Sequence, residues 1–163
     1  MRNFNARQTT AEVISECDCP NHGVHLNHRP RNMKRIEHIG IAVRDLKSAE
    51  RIFEDILGVP SFKRESVPSE SVNVSFFQTG QSKVELLEST SPDGPIAKHI
   101  EKRGEGLHHL AFAVDDLNSE IERLQDLGYR VVSGPKEGAD QKMIAFLHPA
   151  DSSKVLVELC APR

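Results

Sequence analysis

The feature of this sequence that most constrains its fold is an internal repeat with an offset of 71 residues. When residues 36–48 are placed over residues 107–119, six of the thirteen aligned positions are identical. The identical pairs include His38 with His109 and Asp45 with Asp116. Repeats of about 20–50 residues are typical of solenoids, whereas one repetition at about 70 residues predicts two related modules that pack as a pair.

The first module shows a strand, a helix and three further strands. Alternating apolar residues predict a strand over 36–43, and Asp45 is the expected N-cap of a helix that ends at Gly58. The apolar residues expected on the buried face of this helix are Leu46, Ala49, Ile52, Phe53, Ile56 and Leu57. Three short strands are predicted near 62–67, 72–78 and 83–88.

The second module repeats this order. A strand is predicted over 107–114, and Asp116 is the expected N-cap of a helix that ends at Gly128. The inward residues of this helix are Leu117, Ile121, Leu124 and Leu127, and strands are predicted near 129–133, 142–148 and 154–160.

The two modules together predict the fold class. It is α+β, with two β-α-β-β-β modules over residues 36–90 and 107–161 that are joined by a linker helix over 94–103. The modules form one domain over residues 36–161, and residues 1–35 are an N-terminal extension.

The first strand of each module carries a histidine above small residues. Successive side chains of a strand point to opposite faces, so His38 shares a face with Gly40 and Ala42. The repeat gives His109 the equivalent place, and the same alternation puts the adjacent His108 on the other face. Each module is therefore predicted to present one imidazole above an open surface.

The last strand of each module contributes a carboxylate, Glu85 in the first and Glu158 in the second, and both interrupt apolar runs. A charge within an apolar strand is costly to bury unless it is paired or coordinates a cation. With His38 and His109, the two acids form a predicted four-ligand set for one divalent ion, Zn²⁺, Co²⁺, Ni²⁺ or Mn²⁺. The alternative is that the histidines are ordinary strand residues and the acids are edge charges.

Composition restricts the remaining possibilities. The chain has 21 Lys+Arg and 24 Asp+Glu, a net charge of −3, which excludes a nucleic-acid binder that works through bulk positive charge. No apolar run reaches the roughly 18 residues of a membrane span, and three cysteines favour a reducing, cytoplasmic setting over a disulfide framework. The tract that contains Cys17, Cys19, His22, His25 and His28 is expected to be a poorly ordered leader or a zinc site, and Met33 is a possible natural start.

The pattern of ligands on the first and last strands resembles the vicinal oxygen chelate superfamily, with its glyoxalase-like fold. Within that superfamily the chain is most similar to the methylmalonyl-CoA epimerase family. The motifs that carry the resemblance are His38-Ile-Gly-Ile-Ala-Val43, Val84-Glu-Leu-Leu-Glu88, Pro95-Ile-Ala97, Gly104-Glu-Gly-Leu-His-His-Leu-Ala-Phe112, Phe146-Leu-His-Pro149 and Val155-Leu-Val-Glu-Leu-Cys160.

The resemblance implies an isomerase that interconverts (R)- and (S)-methylmalonyl-CoA by removing and returning the C2 proton. It implies one divalent metal ion as cofactor, an acyl-CoA substrate and a homodimer. It also implies that Glu158 is both a metal ligand and a catalytic base. In some family members a glutamate of the middle strand is the second base, but here Val74 stands there, so Glu85 is the predicted second base. A bound water, Glu70 or Lys83 are the alternatives.

Two other functions remain open from the sequence. A glyoxalase-I-type lactoylglutathione lyase has the same fold and metal set, but such chains more often carry an Asp-Pro-Asp-Gly turn where this one has Phe146-Leu-His-Pro149. A non-catalytic small-molecule-binding or resistance protein of the same fold is the other. Lys98, Lys102 and Arg103 are either contacts for the phosphates of CoA or solvated helix charges.

Overall fold

The computed structural model describes residues 33–163, so the Cys/His tract of residues 17–28 lies outside the described residues. The β-strands are β1 (Met33–Val43), β2 (Lys63–Val67), β3 (Val72–Thr79), β4 (Ser82–Ser89), β5 (Gly106–Val114), β6 (Val131–Glu137), β7 (Lys142–Leu147) and β8 (Val157–Pro162). The α-helices are α1 (Leu46–Leu57), α2 (Pro95–Arg103) and α3 (Leu117–Asp126). Short 3₁₀ turns cover Pro68–Glu70 and Pro149–Asp151. No helix among the described residues is long and apolar enough to cross a membrane.

All eight strands form one mixed sheet in the order β2-β3-β4-β1-β5-β8-β7-β6. The two first strands, β1 and β5, pair antiparallel at its centre, and each pairs in parallel with the last strand of its own module. The sheet curls into a half-barrel. The curl brings its two ends together, where Nζ of Lys63 on β2 pairs with Oδ1 of Asp140 in the β6–β7 turn at 3.0 Å. The predicted α+β fold with paired β-α-β-β-β modules is confirmed.

The two repeat-related helices begin in the same way. The Asp45 carboxylate accepts a hydrogen bond from the Ser48 backbone N–H at 2.7 Å, and Asp116 accepts one from the Ser119 N–H at 3.0 Å. These caps satisfy amide groups that lack a partner within the helix. Helix α1 ends at Gly58, whose φ of 68° is in the left-handed region that glycine adopts readily.

The buried face of α1 is narrower than predicted. Ala49 and Phe53 pack onto the outer face of the sheet with Leu46 and Leu57. Ile52 and Ile56 are 57% and 68% exposed, so their prediction as inward residues was wrong. A single helix on a sheet buries only the stripe that faces the strands, and these two residues lie one turn apart beside that stripe. Leu127, also predicted to face inward, follows the end of α3 and is 51% exposed.

Two strands of the second module begin later than predicted. β8 begins at Val157 rather than at residue 154, because Ser153 and Lys154 have φ of 54° and 68° and form a turn. β6 begins at Val131 rather than at residue 129. The Arg130 backbone N–H is bound instead by the Asp151 carboxylate at 3.0 Å. Both strands also end later than predicted, β6 at Glu137 and β8 at Pro162, so each is shifted along the chain.

Candidate active site

Two of the three register shifts between the central strands β1 and β5 are β-bulges that shape the site. Ile36 pairs with Phe112 and His38 with Ala111, which leaves Glu37 as an extra residue in β1. Gly40 pairs with His109 and Ile41 with Leu107, which leaves His108 as an extra residue in β5. A bulge interrupts the alternation of side chains and re-aims them. The bulges lie 71 residues apart, so each module carries one at the same place, immediately before its histidine.

The bulges bring two side chains into the site that strand alternation excluded. Glu37 is buried, and its Oε2 lies 2.6 Å from Nδ1 of His38. His108 is half-buried and its Nδ1 lies 2.9 Å from Nδ1 of His109, so its prediction on the opposite face was wrong. The only sign of either residue in the sequence is its position next to the repeated histidine. The bulge itself was not predictable, because it depends on pairing between distant strands.

Three of the four predicted metal ligands meet at the centre of the sheet. Nε2 of His38 lies 2.9 Å from Nε2 of His109, and Nε2 of His109 lies 3.2 Å from Oε2 of Glu158. Nε2 of His38 and Oε2 of Glu158 are 3.8 Å apart. All three side chains are buried, and their donor atoms lie within 4.8 Å of one another.

The fourth predicted ligand, Glu85, lies on the other side of the His38 ring. Its Oε1 is 3.3 Å from Nδ1 of His38, and the group of three donors does not include it. The sheet register nevertheless gives the two acids equivalent places. Glu85 lies beside Gly40 of β1, and Glu158 lies beside Ala111 of β5.

Gly40 of the first module makes room for His109 of the second. A Cβ on Gly40 would lie 2.2 Å from Cε1 of His109 and within 2.7 Å of two further ring atoms. Real Cβ atoms do not approach other atoms below 3.0 Å. Gly40 is therefore required by the packing of the His109 imidazole, and the space above it is not an open surface as the sequence predicted.

A network of buried charges supports His38 from behind. Glu37 accepts hydrogen bonds from His38 and from Nζ of Lys83, which lies 3.0 Å from Oε1. Lys83 also donates to Asp140 at 2.7 Å. Sequence reasoning missed Glu37 and Asp140 and treated Lys83 only as a possible base. Glu37 meets Lys83 because β1 and β4 are neighbouring strands, whereas Asp140 reaches Lys83 through the curl of the sheet. This network fixes the ring orientation of His38.

The electrostatics of the cluster favour positive charge between the carboxylates. Burial alone would lower the pKa of His38, but the negative charges of Glu85 and Glu158 and the contact with Glu37 raise it to about 10. Burial and the charge of His38 hold the pKa of His109 well below its ordinary value, so this ring is neutral. Burial raises the pKa of Glu85 to about 7.

Cys160 lies close to the cluster but has the properties of an inert thiol. Its Sγ donates to the backbone carbonyl of Phe112 at 3.4 Å, and the residue is buried beside Ile144. Burial raises the pKa of its thiol far above the ordinary value, with a further contribution from the charge of Glu158. Without a metal ion the thiol is therefore protonated near neutral pH.

The cluster forms the floor of a cavity of about 570 Å³ on the inner face of the sheet, including the space at its open mouth. Apolar side chains of both modules form much of its wall: Val67, Val72, Val74, Leu87, Ile96, Ile144 and Phe146. The two histidines and two glutamates of the predicted ligand set also line the cavity, together with His108, Lys142 and Glu70. A concave, largely apolar site with a few convergent polar groups is typical of a small-molecule site.

The donor set fits a divalent metal ion. Two imidazole nitrogens and a carboxylate oxygen converge from three strands, and these are the donors that zinc, cobalt and nickel accept. The surrounding carboxylates hold a proton on the His38 ring, which shows that they attract positive charge to this place. The neutral His109 has a lone pair to donate to a metal ion. The site is thus a competent candidate metal centre.

Comparison with known proteins shows the family of this chain. Residues 37–146 match the family model of the glyoxalase/bleomycin resistance protein/dioxygenase superfamily. YqjC, an uncharacterised protein of Bacillus subtilis, is 42% identical over 132 residues, which cover 80% of this chain and 94% of that protein. The ethylmalonyl-CoA/methylmalonyl-CoA epimerase of Cereibacter sphaeroides is 37% identical, covering 77% of this chain and 96% of the relative.

A solved structure extends the relationship to three dimensions. A variant of methylmalonyl-CoA epimerase from Streptomyces coelicolor, in complex with 2-nitronate-propionyl-CoA, matches with a TM-score of 0.75. The two chains are 34% identical, and the match covers 80% of this chain and 95% of the other. The prediction of an isomerase is confirmed by these relationships. The chain belongs to the glyoxalase/bleomycin resistance/dioxygenase superfamily and, within it, to the family of the methylmalonyl-CoA epimerases.

Proposed function

We propose that this protein is a metal-dependent epimerase that interconverts the two C2 epimers of methylmalonyl-CoA. The observation that carries the proposal is the convergence of His38, His109 and Glu158 on the floor of a cavity, in a chain related to methylmalonyl-CoA epimerases. The substrate has an acidic C2 proton next to a thioester. The chemistry therefore requires positive charge near the thioester oxygen and a proton acceptor on each side of C2.

In this proposal His38, His109 and Glu158 would hold the metal ion, and Glu85, which lies against His38, would be the fourth ligand. The bound ion supplies a Lewis acid that stabilises the negative charge developing on the thioester oxygen when the C2 proton leaves. Glu37 accepts the Nδ1 hydrogen of His38 and thereby turns Nε2 toward the cavity.

Glu158 is one of the two proton-transferring groups, because its carboxylate lies on the cavity floor. Glu70 is the other. It also lines the cavity, from the 3₁₀ turn that joins β2 to β3. In the sheet order β3 lies four strands from β8, which carries Glu158. Glu70 Oε1 is paired with Nζ of Lys136 on β6 at 2.7 Å, which holds this carboxylate where the two edges of the sheet meet. In this proposal Glu70 and Glu158 therefore reach the substrate from different sides of the cavity.

Glu85, the second base predicted from the sequence, remains the alternative. It lines the cavity, and its raised pKa of about 7 suits proton transfer near neutral pH. However, it contacts His38 directly and so lies on the same wall as the metal ligands. Lys83 is occupied by Glu37 and Asp140 and does not line the cavity, so we assign it a supporting role.

The apolar wall serves the same reaction. Val74, Leu87 and Ile96 line the cavity beside the charged cluster. They keep bulk water away from C2 after the proton has left, so the proton returns from one of the two carboxylates. Exclusion of water also strengthens the attraction between the substrate oxygen and positive charge, since the local dielectric constant is low.

The test follows the C2 proton. Each pure epimer of methylmalonyl-CoA is incubated in D₂O with metal-free protein and with protein refilled with Co²⁺, while NMR measures loss of the C2 proton. We expect metal-dependent exchange that is lost in His109→Ala and Glu158→Ala, each variant first checked for folding by circular dichroism. Absence of exchange in the folded, Co²⁺-loaded protein would refute the proposed activity.

The same assay separates the two candidate second bases. A variant that lacks one base retains exchange from the face served by the other base, but it cannot invert C2. We therefore expect Glu70→Gln to retain exchange with one epimer and to lose epimerisation by about 10²–10⁴-fold. If Glu85→Gln shows this behaviour and Glu70→Gln does not, the second base is Glu85.

A further inference from the structure

We propose that a basic groove beside α2 binds the phosphates at the nucleotide end of the acyl-CoA substrate. The basic groove is lined by Lys98, Lys102, Arg103 and Lys154 and opens next to Pro95 and His108. The identity of the ligand rests on the proposed function, because that function names a CoA thioester. The groove itself is a property of the described residues.

The charge of the basic groove is uncompensated. Within residues 33–163, no aspartate or glutamate lines it. Its four cations also form no ion pair with another described residue, whereas Lys63, Lys83, Arg123 and Arg130 each bind a carboxylate. Four like charges on one concave surface repel one another, so an anion that enters the groove relieves this repulsion and is attracted by all of them.

The free carbonyl groups at the end of α2 account for only part of this pattern. Cations are favoured in the last turn of a helix, which suits Lys102 and Arg103. Lys98 lies in the middle of the helix, and Lys154 belongs to the turn before β8, so neither gains from that effect. Their arrival at the same groove requires another explanation.

Lys154 is held at the groove by a constrained turn. Its φ of 68° is left-handed, a conformation that residues other than glycine rarely adopt, and Ser153 before it has a φ of 54°. The backbone N–H of Lys154 donates to the carbonyl of Pro149 at 2.7 Å, which fixes the turn. Such strain persists only where the surrounding structure imposes it and is enriched at ligand sites.

The basic groove continues from the reactive cavity. Pro95 and His108 belong to the walls of both, so a substrate can pass from one to the other without leaving the surface. From Pro95, α2 runs nine residues to Arg103, roughly 12 Å at 1.5 Å per residue. The pantetheine arm of CoA has three units of about residue length, which span about 10 Å or more when extended. Phosphates beyond the arm therefore reach the far end of the groove.

The experiment compares two thioesters that share the reacting group. Methylmalonyl-CoA carries the nucleotide phosphates, and the methylmalonyl thioester of pantetheine carries none. The groove variants are Lys98→Gln/Lys102→Gln and Lys154→Gln. The control is Lys47→Gln/Arg51→Gln, which removes two exposed charges from α1. We expect the ratio of kcat/KM for the CoA thioester to that for the pantetheine thioester to fall about tenfold in the double groove variant, and to keep its wild-type value in the control.

Direct binding keeps this test separate from the test of the proposed activity. The affinity for CoA itself is measured by titration calorimetry with wild type, groove variants and control, independently of turnover. Loss of CoA affinity in the groove variants alone supports the groove, even if neither thioester is epimerised. An unchanged affinity and an unchanged kcat/KM ratio would overturn it, and so would equal losses in the groove variants and the control, since that outcome indicates general attraction by net charge.

Discussion

Replacement of Gly40 by alanine tests whether the two central strands set the geometry of the proposed metal centre. Gly40 does not have a positive φ, so alanine fits its backbone without strain. The new methyl carbon, however, would lie 2.2 Å from Cε1 of His109, and ordinary contact begins at 3.4 Å. The imidazole must therefore retreat by about 1.2 Å. Rotation of the ring does not avoid the contact, because Nδ1 and Nε2 are also within 2.7 Å.

The size of the effect follows from this displacement. A shift of about 1 Å in a catalytic group costs about 10²-fold in rate, so we expect kcat/KM to fall about 100-fold and the affinity for Co²⁺ to fall with it. Overpacking of the core costs about 1–3 kcal/mol in the free energy of unfolding. A domain of ordinary stability, about 5–15 kcal/mol, stays folded after such a loss, so unfolding does not account for the fall in activity.

The assay measures three quantities on one preparation: Co²⁺ affinity by calorimetry, epimerisation rate, and free energy of unfolding by urea titration. Gly80→Ala is the matched control. Gly80 has a φ of 61° and no atom within 4 Å of its added Cβ, so alanine there strains the β3–β4 turn far from the site. It lowers stability by about 1 kcal/mol and leaves metal affinity unchanged. If Gly40→Ala binds Co²⁺ and turns over substrate like wild type, the packing argument is wrong.

Further predictions address the cluster and the fold. Because His38 has a pKa of about 10 without the ion, Co²⁺ binding at pH 7.5 should displace its proton. Calorimetry in buffers of different ionisation enthalpy should therefore detect release of about one proton. A binding enthalpy that is the same in all buffers would contradict this. Glu37→Gln weakens the hold on His38 and should lower metal affinity about 10–100-fold, measured by competition with a chelator; wild-type affinity would show that the contact does not matter. Ile52→Ala should change the free energy of unfolding by less than about 1 kcal/mol, whereas Phe53→Ala should lower it by at least about 2 kcal/mol. The reason is that only Phe53 packs on the sheet. Equal losses in the two variants would mean that Ile52 is covered.

The parts of the fold that were predictable from the sequence depend on local pattern. Asp45, Asp116 and Gly58 mark helix ends because their own side chains or backbones form the caps. The repeat then assigned equivalent roles to His38 and His109, and strand alternation placed both on the inner face. These inferences need no knowledge of distant contacts.

The parts that sequence reasoning missed depend on contacts between distant segments. Glu37 and His108 enter the site only because the register of β1 against β5 shifts at each of these two residues. Asp140 reaches Lys83 because the sheet curls until its two ends meet. The exposure of Ile52 depends on how α1 lies on the sheet, which periodicity alone does not fix.

The paired bulges make the two halves of the site chemically unequal. The residues at the two bulges occupy equivalent places, and each contacts Nδ1 of the histidine that follows it. In the first module that residue is Glu37, an anion that pushes electron density into His38; in the second it is His108, a neutral ring whose pKa burial lowers to about 4. Two histidines related by duplication thus become a stronger and a weaker electron donor, through a difference in the one residue before each of them.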